Sequence, residues 1–233
     1  MVDTAAAPRP SAEAVEMTGA AMLLHGLIAE GVDCIFGYPG GAIMPIYDSL
    51  YDFRDRLHHV LVRHEQGAIH AAQGYARASG RVGVVFATSG PGATNLVTGL
   101  ADAMIDSTPV VCITGQVFAH LLGTDAFQEI DVINITTPVT KWNYQVTDAR
   151  ELPEALAKAF YLARSGRPGP VLLDISKNAQ LEALGFEGYR FCRHLRSYRP
   201  KPVVRPACIT AAAELINAAR RPLILFGQGV VLG

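Results

Sequence analysis

Three short runs constrain this chain more than anything else in it. Val82-Gly83-Val84-Val85-Phe86-Ala87, Val110-Val111-Cys112-Ile113-Thr114 and Val171-Leu172-Leu173-Asp174-Ile175 are apolar at nearly every position. A strand with one wet face alternates apolar and polar residues, whereas a run without alternation needs apolar partners on both faces. Val32-Asp33-Cys34-Ile35-Phe36 and Val60-Leu61-Val62-Arg63 add two further strand-like segments. Helical spacing appears between the runs. Ala21, Met22, Leu24, Leu27 and Ile28 recur within Thr18–Glu30, and Leu152, Leu156, Ala159, Phe160 and Ala163 recur within Glu151–Ser165. Helix and strand alternate five times. The expected fold is therefore α/β, a parallel sheet with helices on both faces and right-handed crossovers.

Composition narrows the function classes. Half of the 233 residues are hydrophobic and the net charge is −1. That balance gives no reason to expect a nucleic acid or an anionic membrane as partner. The longest stretch free of Asp, Glu, Lys and Arg, Val82–Ala101, is broken by Thr88-Ser89-Gly90-Pro91-Gly92, so it reads as strand, loop and helix. Cys34, Cys112, Cys192 and Cys208 have no metal-ligand or CxxC spacing, so buried reduced thiols of a cytoplasmic protein are expected. Residues 1–16 read as a disordered lead-in without a secretion or organelle address. Leu181–Arg199 reads as a solvated connector, and 186–206 as a linker by composition. A helix near Ile209 and a strand near Pro222 open a second α/β domain at 207–233. The chain stops just after that strand and its Gly-rich turn, so it is expected to be the front part of a longer protein.

In an open parallel sheet ligands sit at the carboxyl ends of the strands. The loops that gather there include Gly37-Tyr38-Pro39-Gly40-Gly41, Thr88-Ser89-Gly90-Pro91-Gly92 and the segment Val117–Lys141, which has no clean period. Loops this long in a compact domain are usually functional or mobile. Neither a GxGxxG nor a GKS/GKT phosphate cradle is present. Val60-Leu61-Val62-Arg63-His64 runs into a lone carboxylate, Glu65, before a helix rich in small residues, in which Ala68, Ala71, Ala72 and Ala76 make a thin face. Taken alone, Glu65 reads first as a solvated helix-start acid favoured by the helix dipole, and only second as a chemical group.

These stretches together resemble the amino-terminal, pyrimidine-binding domain of thiamine-diphosphate enzymes, and among those the acetolactate (acetohydroxyacid) synthase large subunits. The resemblance rests on Phe36–Ile43, His64-Glu65-Gln66-Gly67-Ala68, Gly74–Gly80, Thr88–Asn95, Gly123-Thr124-Asp125-Ala126-Phe127-Gln128-Glu129, Lys141-Trp142 and Ser165–Pro170. It covers about Met17 to Ala179 and implies a pyrimidine-binding domain at 17–185. It also implies decarboxylation of pyruvate and condensation with a second 2-oxo acid, pyruvate or 2-oxobutanoate. That is the first step of branched-chain amino acid biosynthesis, a transferase activity.

The implied cofactors are thiamine diphosphate, FAD and Mg2+. The reactive carbon belongs to thiamine, and the protein's part is to shift a proton. A carboxylate on N1′ of the aminopyrimidine favours the imino tautomer, whose 4′-nitrogen takes the C2 proton. Glu65 is implied in that role, in an apolar, water-poor place. Tyr38, Pro39, Gly40 and Gly41 would lie along the cofactor ring and the reacting carbonyl, with backbone amides steadying negative charge. Pro91, Gly92 and Asn95 would pack near the pyrimidine. Gln128, with Gly41, joins Glu65 among the implied catalytic residues, and Phe127 lines the pocket with Gln128. Arg167 would contact FAD, or else serve as a helix C-terminal cation. Lys177 and Phe118 would line the substrate channel.

Three positions depart from the family pattern: Phe118, Ser176 and Asn178 stand where Pro, Pro and Asp are usual. They touch the channel and leave the Glu65 chemistry alone. No metal ligand is assigned in this chain, because the Gly-Asp-Gly motif that holds the diphosphate and Mg2+ is absent from it. A homodimer or dimer of dimers is implied, with room left for a small regulatory subunit, and the 233 residues alone should be inactive. The competing readings are another thiamine-diphosphate enzyme, of pyruvate oxidase or sulfoacetaldehyde acetyltransferase type, and a stand-alone dimerisation or binding domain without catalysis.

Overall fold

The computed structural model describes residues 14–201 and 203–232. Most of the lead-in read from the sequence, residues 1–13, lies outside that range. Its last residues do not form a free tail: Val15–Thr18 is a strand, β1. Helix α1, Gly19–Ala29, follows directly, with Thr18 as N-cap accepting from the Ala21 amide. The chain then runs through β2 (Cys34–Gly37), α2 (Met44–Leu50), β3 (His58–Leu61), α3 (Glu65–Ser79) and β4 (Gly83–Ala87). It continues through α4 (Pro91–Thr94), α5 (Val97–Ile105), β5 (Val110–Gln116), α6 (Val132–Thr136) and β6 (Trp142–Val146). Last come α7 (Leu152–Arg164), β7 (Val171–Ser176), α8 (Lys177–Leu181), β8 (Ala183–Phe186), α9 (Pro206–Ala218) and α10 (Gly229–Leu232).

Six strands form one sheet in the order β3-β2-β4-β5-β7-β6, every pair parallel. Its faces separate by strand parity, as side chains in a strand must. Val84 and Phe86 of β4, Val111 and Ile113 of β5, and Leu173 and Ile175 of β7 pack with Leu23, Leu27, Leu156 and Phe160 of α1 and α7. Val85 and Ala87, Val110 and Cys112, and Leu172 pack with Ala68, Ile69, Ala72 and Leu100 of α3 and α5. Both faces are covered, which is why these runs do not alternate. The sheet reverses its direction of growth between β2 and β4, the kind of point where two carboxyl-end loops diverge and leave a crevice.

Differences from the sequence expectations have local causes. β6 was missed because it is an edge strand of mixed polarity, buried fully only at Val146. β1 and β8 pair antiparallel, Val15 opposite Phe186, a contact between distant parts of the chain. The helix after Gly90 breaks at Asn95 and Leu96 into α4 and α5. Part of the long loop winds into α6, capped by Asp131. Of the four cysteines only Cys112 is buried, whereas Cys34 and Cys192 are half-buried and Cys208 is exposed.

The segment after β8 is not simply solvated. The Tyr189 ring lies against Gly26 of α1, and its hydroxyl donates to Glu30 Oε1 at 2.8 Å. Arg164 reaches Glu30 Oε2 at 2.8 Å, and Tyr198 donates to the Ser165 carbonyl at 2.7 Å. Aromatic residues spaced among the arginines tie this stretch along α1 and α7. α9 has no buried residue, and residues 222–227, where a strand was expected, carry no regular structure.

Candidate active site

Because the six-stranded sheet is all parallel, the loops after β2, β3, β4, β5 and β7 share one edge. Glu65 stands there as the first residue of α3, one residue nearer its helix than the sequence suggested. His64 before it is the N-cap, its Nδ1 accepting from the Gln66 amide at 3.1 Å, and Gly80 closes α3 in the left-handed conformation. The helix therefore starts where Glu65 must face the crevice rather than solvent, and Glu65 is only 7% exposed.

Its carboxylate is held on one side. Asn95 Nδ2 donates to Oε2 at 2.9 Å. Beside Oε1 lies Gly92, where an added Cβ would stand 3.2 Å from that oxygen and 2.8 Å from Thr88 Cγ2. Glycine at position 92 thus lets the start of α4 pack directly against the buried carboxylate, where a methyl group would not fit. Thr88 serves both loops. Its Oγ1 accepts from the Ala42 amide at 3.2 Å, and its side chain leaves no room for a Cβ on Gly40. The Tyr38-to-Ala42 turn is drawn down onto the end of β4 by these contacts. Gly115 of β5 lets the same turn pass overhead, for an added Cβ would meet the Ala42 and Ile43 backbone at 2.5–2.6 Å. Thr88 was quoted in the sequence motif without a role. Its signal was only its position between two glycine-rich turns.

The structure gathers most of the other candidates at this edge. Gly90 sits under Gln128, whose backbone has φ 59°, so close that a Cβ on Gly90 would meet the Gln128 carbonyl at 2.7 Å. Pro91 and Gly92 open α4 next to that contact. Lys177 Nζ donates to the Gly41 carbonyl at 3.2 Å and lies 5.9 Å from the centre of the Phe118 ring. Asn178 accepts from the Ala119 amide at 2.9 Å and donates to the Thr147 carbonyl at 2.8 Å, so two of the departing positions, Phe118 and Asn178, meet. Ser176 Oγ, the third, is buried without a hydrogen-bond partner among the described residues. Tyr38 is partly exposed, and Phe127 is 87% exposed.

Arg167 is not at this edge. It precedes β7, at the amino end of the sheet. There its Nε donates to Ser107 Oγ at 2.8 Å and its Nη2 to the Ile105 carbonyl at 2.8 Å, at the C terminus of α5. It also borders a cavity of about 1060 Å3 with Arg164, Arg193, Lys201 and Gln228. Behind the Glu65 site, Tyr47 bonds His59 Nε2 at 3.1 Å. Burial, and then the Glu65 charge, push the Tyr47 hydroxyl's pKa up, so it stays protonated beside the site.

The model of the family described as "Thiamine pyrophosphate enzyme, N-terminal TPP binding domain" matches residues 17–135, just over half of the chain. The chain belongs to this family of thiamine pyrophosphate enzymes. Glu65, Gly92 and Asn95 all fall inside the matched part of the TPP binding domain. An acetolactate synthase large subunit of Corynebacterium glutamicum is 52% identical over 228 residues, 98% of this chain and 36% of the relative. A probable acetolactate synthase large subunit of Methanocaldococcus jannaschii is 51% identical over 218 residues, 93% of this chain and 36% of the relative. The acetolactate synthase isozyme 2 large subunit of Escherichia coli is 50% identical over 214 residues, 92% of this chain and 38% of the relative. The TPP binding domain and its tail thus span little more than a third of the length of these relatives. Among the described residues no helix is long and apolar enough to cross a membrane. Nor do three His, Cys, Asp or Glu side chains group to hold a metal.

Proposed function

We propose that this chain is the pyrimidine-binding part of an acetolactate synthase large subunit, joining pyruvate to a second 2-oxo acid with loss of CO2. One observation carries the reading: a buried carboxylate at the carboxyl edge of the sheet, with one oxygen engaged by Asn95 and the other lying beside Gly92. A carboxyl placed so suits the N1′ edge of an aminopyrimidine, and the family match names thiamine pyrophosphate as the group. Thiamine diphosphate, when bound, would supply a nucleophilic carbanion and an electron sink for the decarboxylation.

The rest is the work of this chain's own residues. Asn95 keeps Oε2 occupied, so Oε1 of Glu65 is the atom that takes and returns a proton. Pro91 and Gly92 hold the ring plane against the carboxylate. The Tyr38–Gly41 turn, pinned by Thr88, offers backbone amides towards developing negative charge. Lys177 places an ammonium group at the mouth, beside Gly41 and Phe118, where it attracts the carboxylate of a 2-oxo acid. Gln128 and Phe127 form the far wall, which a further domain or subunit would cover. FAD near Arg167, Mg2+ held outside this chain, a homodimer or dimer of dimers and a cytoplasmic setting belong to the same proposal. They are supported by the resemblance and by the likeness to acetolactate synthases.

The test is made in the complete enzyme. Glu65→Gln keeps a hydrogen bond but cannot exchange the proton, so turnover should fall by a factor on the order of 10² to 10⁴. Activity within a few-fold of the parent would overturn the assignment. Acetolactate as the product from pyruvate supports the synthase reading, and acetyl phosphate would favour the pyruvate oxidase or acetyltransferase type.

A further inference from the structure

Asp174 is the one charged residue of β7, and it is 0% exposed. The sheet register places Thr114 of β5 and Gln145 of β6 on either side of it. All the polar side chains that reach it are donors. Thr114 Oγ1 gives to Oδ1 at 2.7 Å, while Gln116 Nε2 at 3.1 Å and Gln145 Nε2 at 2.9 Å give to Oδ2. Burial raises the carboxyl's pKa, and the three donors only partly offset it. A proton on Oδ2 would point at two amide N–H groups. A buried charge rarely improves stability over a hydrophobic residue of similar size, so this carboxylate asks for another account.

Gln116 supplies it. The same Nε2 also donates to the Ile130 carbonyl at 3.1 Å, and Oε1 accepts from the Val117 amide at 2.9 Å. One amide group therefore grips both ends of the segment 117–130, which carries Phe118, Phe127 and Gln128. A side-chain amide can turn over, exchanging oxygen for nitrogen. A turned Gln116 would lose both grips. Oδ2 of Asp174 faces two amide N–H groups and can only accept there, so it favours the orientation that keeps them.

We propose that Asp174 is a positioning residue that sets the 117–130 loop, and with it the 2-oxo acid pocket, by locking the Gln116 amide. The substrate part rests on the synthase reading above, whereas the lock itself does not. The test compares Asp174→Asn, Gln116→Met and Gln145→Leu in the complete enzyme, by hydrogen exchange and by steady-state kinetics. Asp174→Asn and Gln116→Met should each speed exchange of the 117–130 amides roughly tenfold or more, the effect of one lost hydrogen bond to a charged group. Each should also raise KM for the 2-oxo acid roughly tenfold with kcat changed only a few-fold, the sign of lost ground-state positioning. Gln145→Leu removes a donor to the same oxygen without touching the loop, and should lower thermal stability while leaving both readouts alone. Gln116→Met carries the test where Asp174→Asn does not fold.

Unchanged loop exchange in both variants, or equal effects from Gln145→Leu, overturns the lock. Faster exchange with an unaltered KM overturns the substrate role. Faster exchange in a parent enzyme that makes no acetolactate upholds the lock and removes the synthase reading instead.

Discussion

Gly92 contributes no side chain to the site, yet it sets the room beside Glu65. In Gly92→Ala the new methyl would press on Oε1 at 3.2 Å and on Thr88 at 2.8 Å. Thiamine diphosphate affinity should fall at least tenfold, the price of about 1.4 kcal/mol of crowding, as read by cofactor titration of the complete enzyme. Ser176 is the opposite case. Its buried hydroxyl has no partner among the described residues, so Ser176→Ala should stabilise the protein by about 1 kcal/mol, seen as a rise of about 2–4 °C in Tm. At this scale the sequence showed residue types better than residue duties. Glu65 was legible as a carboxylate between a strand and a small-residue helix. Asn95 was named only through the family likeness, as a residue near the pyrimidine, and its bond to Glu65 came from the structure, because thirty residues of chain separate the pair and no local pattern joins them. Asp174 stood in plain view as a lone charge in an apolar run, but its donors come from β5 and β6.

The elements owe their limits to a few caps and close approaches. α3 begins at Glu65 because His64 caps it, and ends because Gly80 turns left-handed. Gly115→Ala would drive a methyl group into the backbone of the Tyr38–Ile43 turn at 2.5–2.6 Å. Backbone cannot yield as a flexible side chain does, so the variant should lose at least about 3 kcal/mol, measured by urea denaturation. Along the other face, Tyr189→Phe removes one hydrogen bond to the buried Glu30 and should cost about 1.5 kcal/mol in the same measurement. The apolar strands β4, β5 and β7 were legible because burial on both faces leaves a continuous apolar run. β6, β1 and β8 were not, since an edge strand and a distant antiparallel pair leave no periodic trace.

Across the whole molecule, two histidines make stability depend on pH. Burial, followed by Arg56, lowers the pKa of His25, and burial, followed by His58, lowers that of His59. A lowered histidine pKa means that the unfolded chain takes the proton more readily. Stability is full above the ordinary value of 6.5 and is lost as the pH falls through the lower folded values. Tm should therefore decline on acidification below that point, and His59→Gln should flatten the decline. The tail behaves differently. No residue of α9 or α10 is buried, and Leu223 to Phe226 stand 76–96% exposed. Removing residues 203–232 should change the Tm of the sheet domain by no more than about 2 °C. A larger loss would show that the tail supports the core.

The amino-acid sequence alone determined the layered parallel sheet, since apolar runs buried on both faces admit few other folds. It also marked the edge where ligands gather, because glycine-rich turns after strands are a local signal. Only the tertiary structure decided which residues meet there. It set Asn95 on Glu65, Thr88 under the Tyr38–Ala42 turn and Gln116 between the two ends of one loop. Those pairings depend on strand order and register, which bring together positions that no short-range pattern relates.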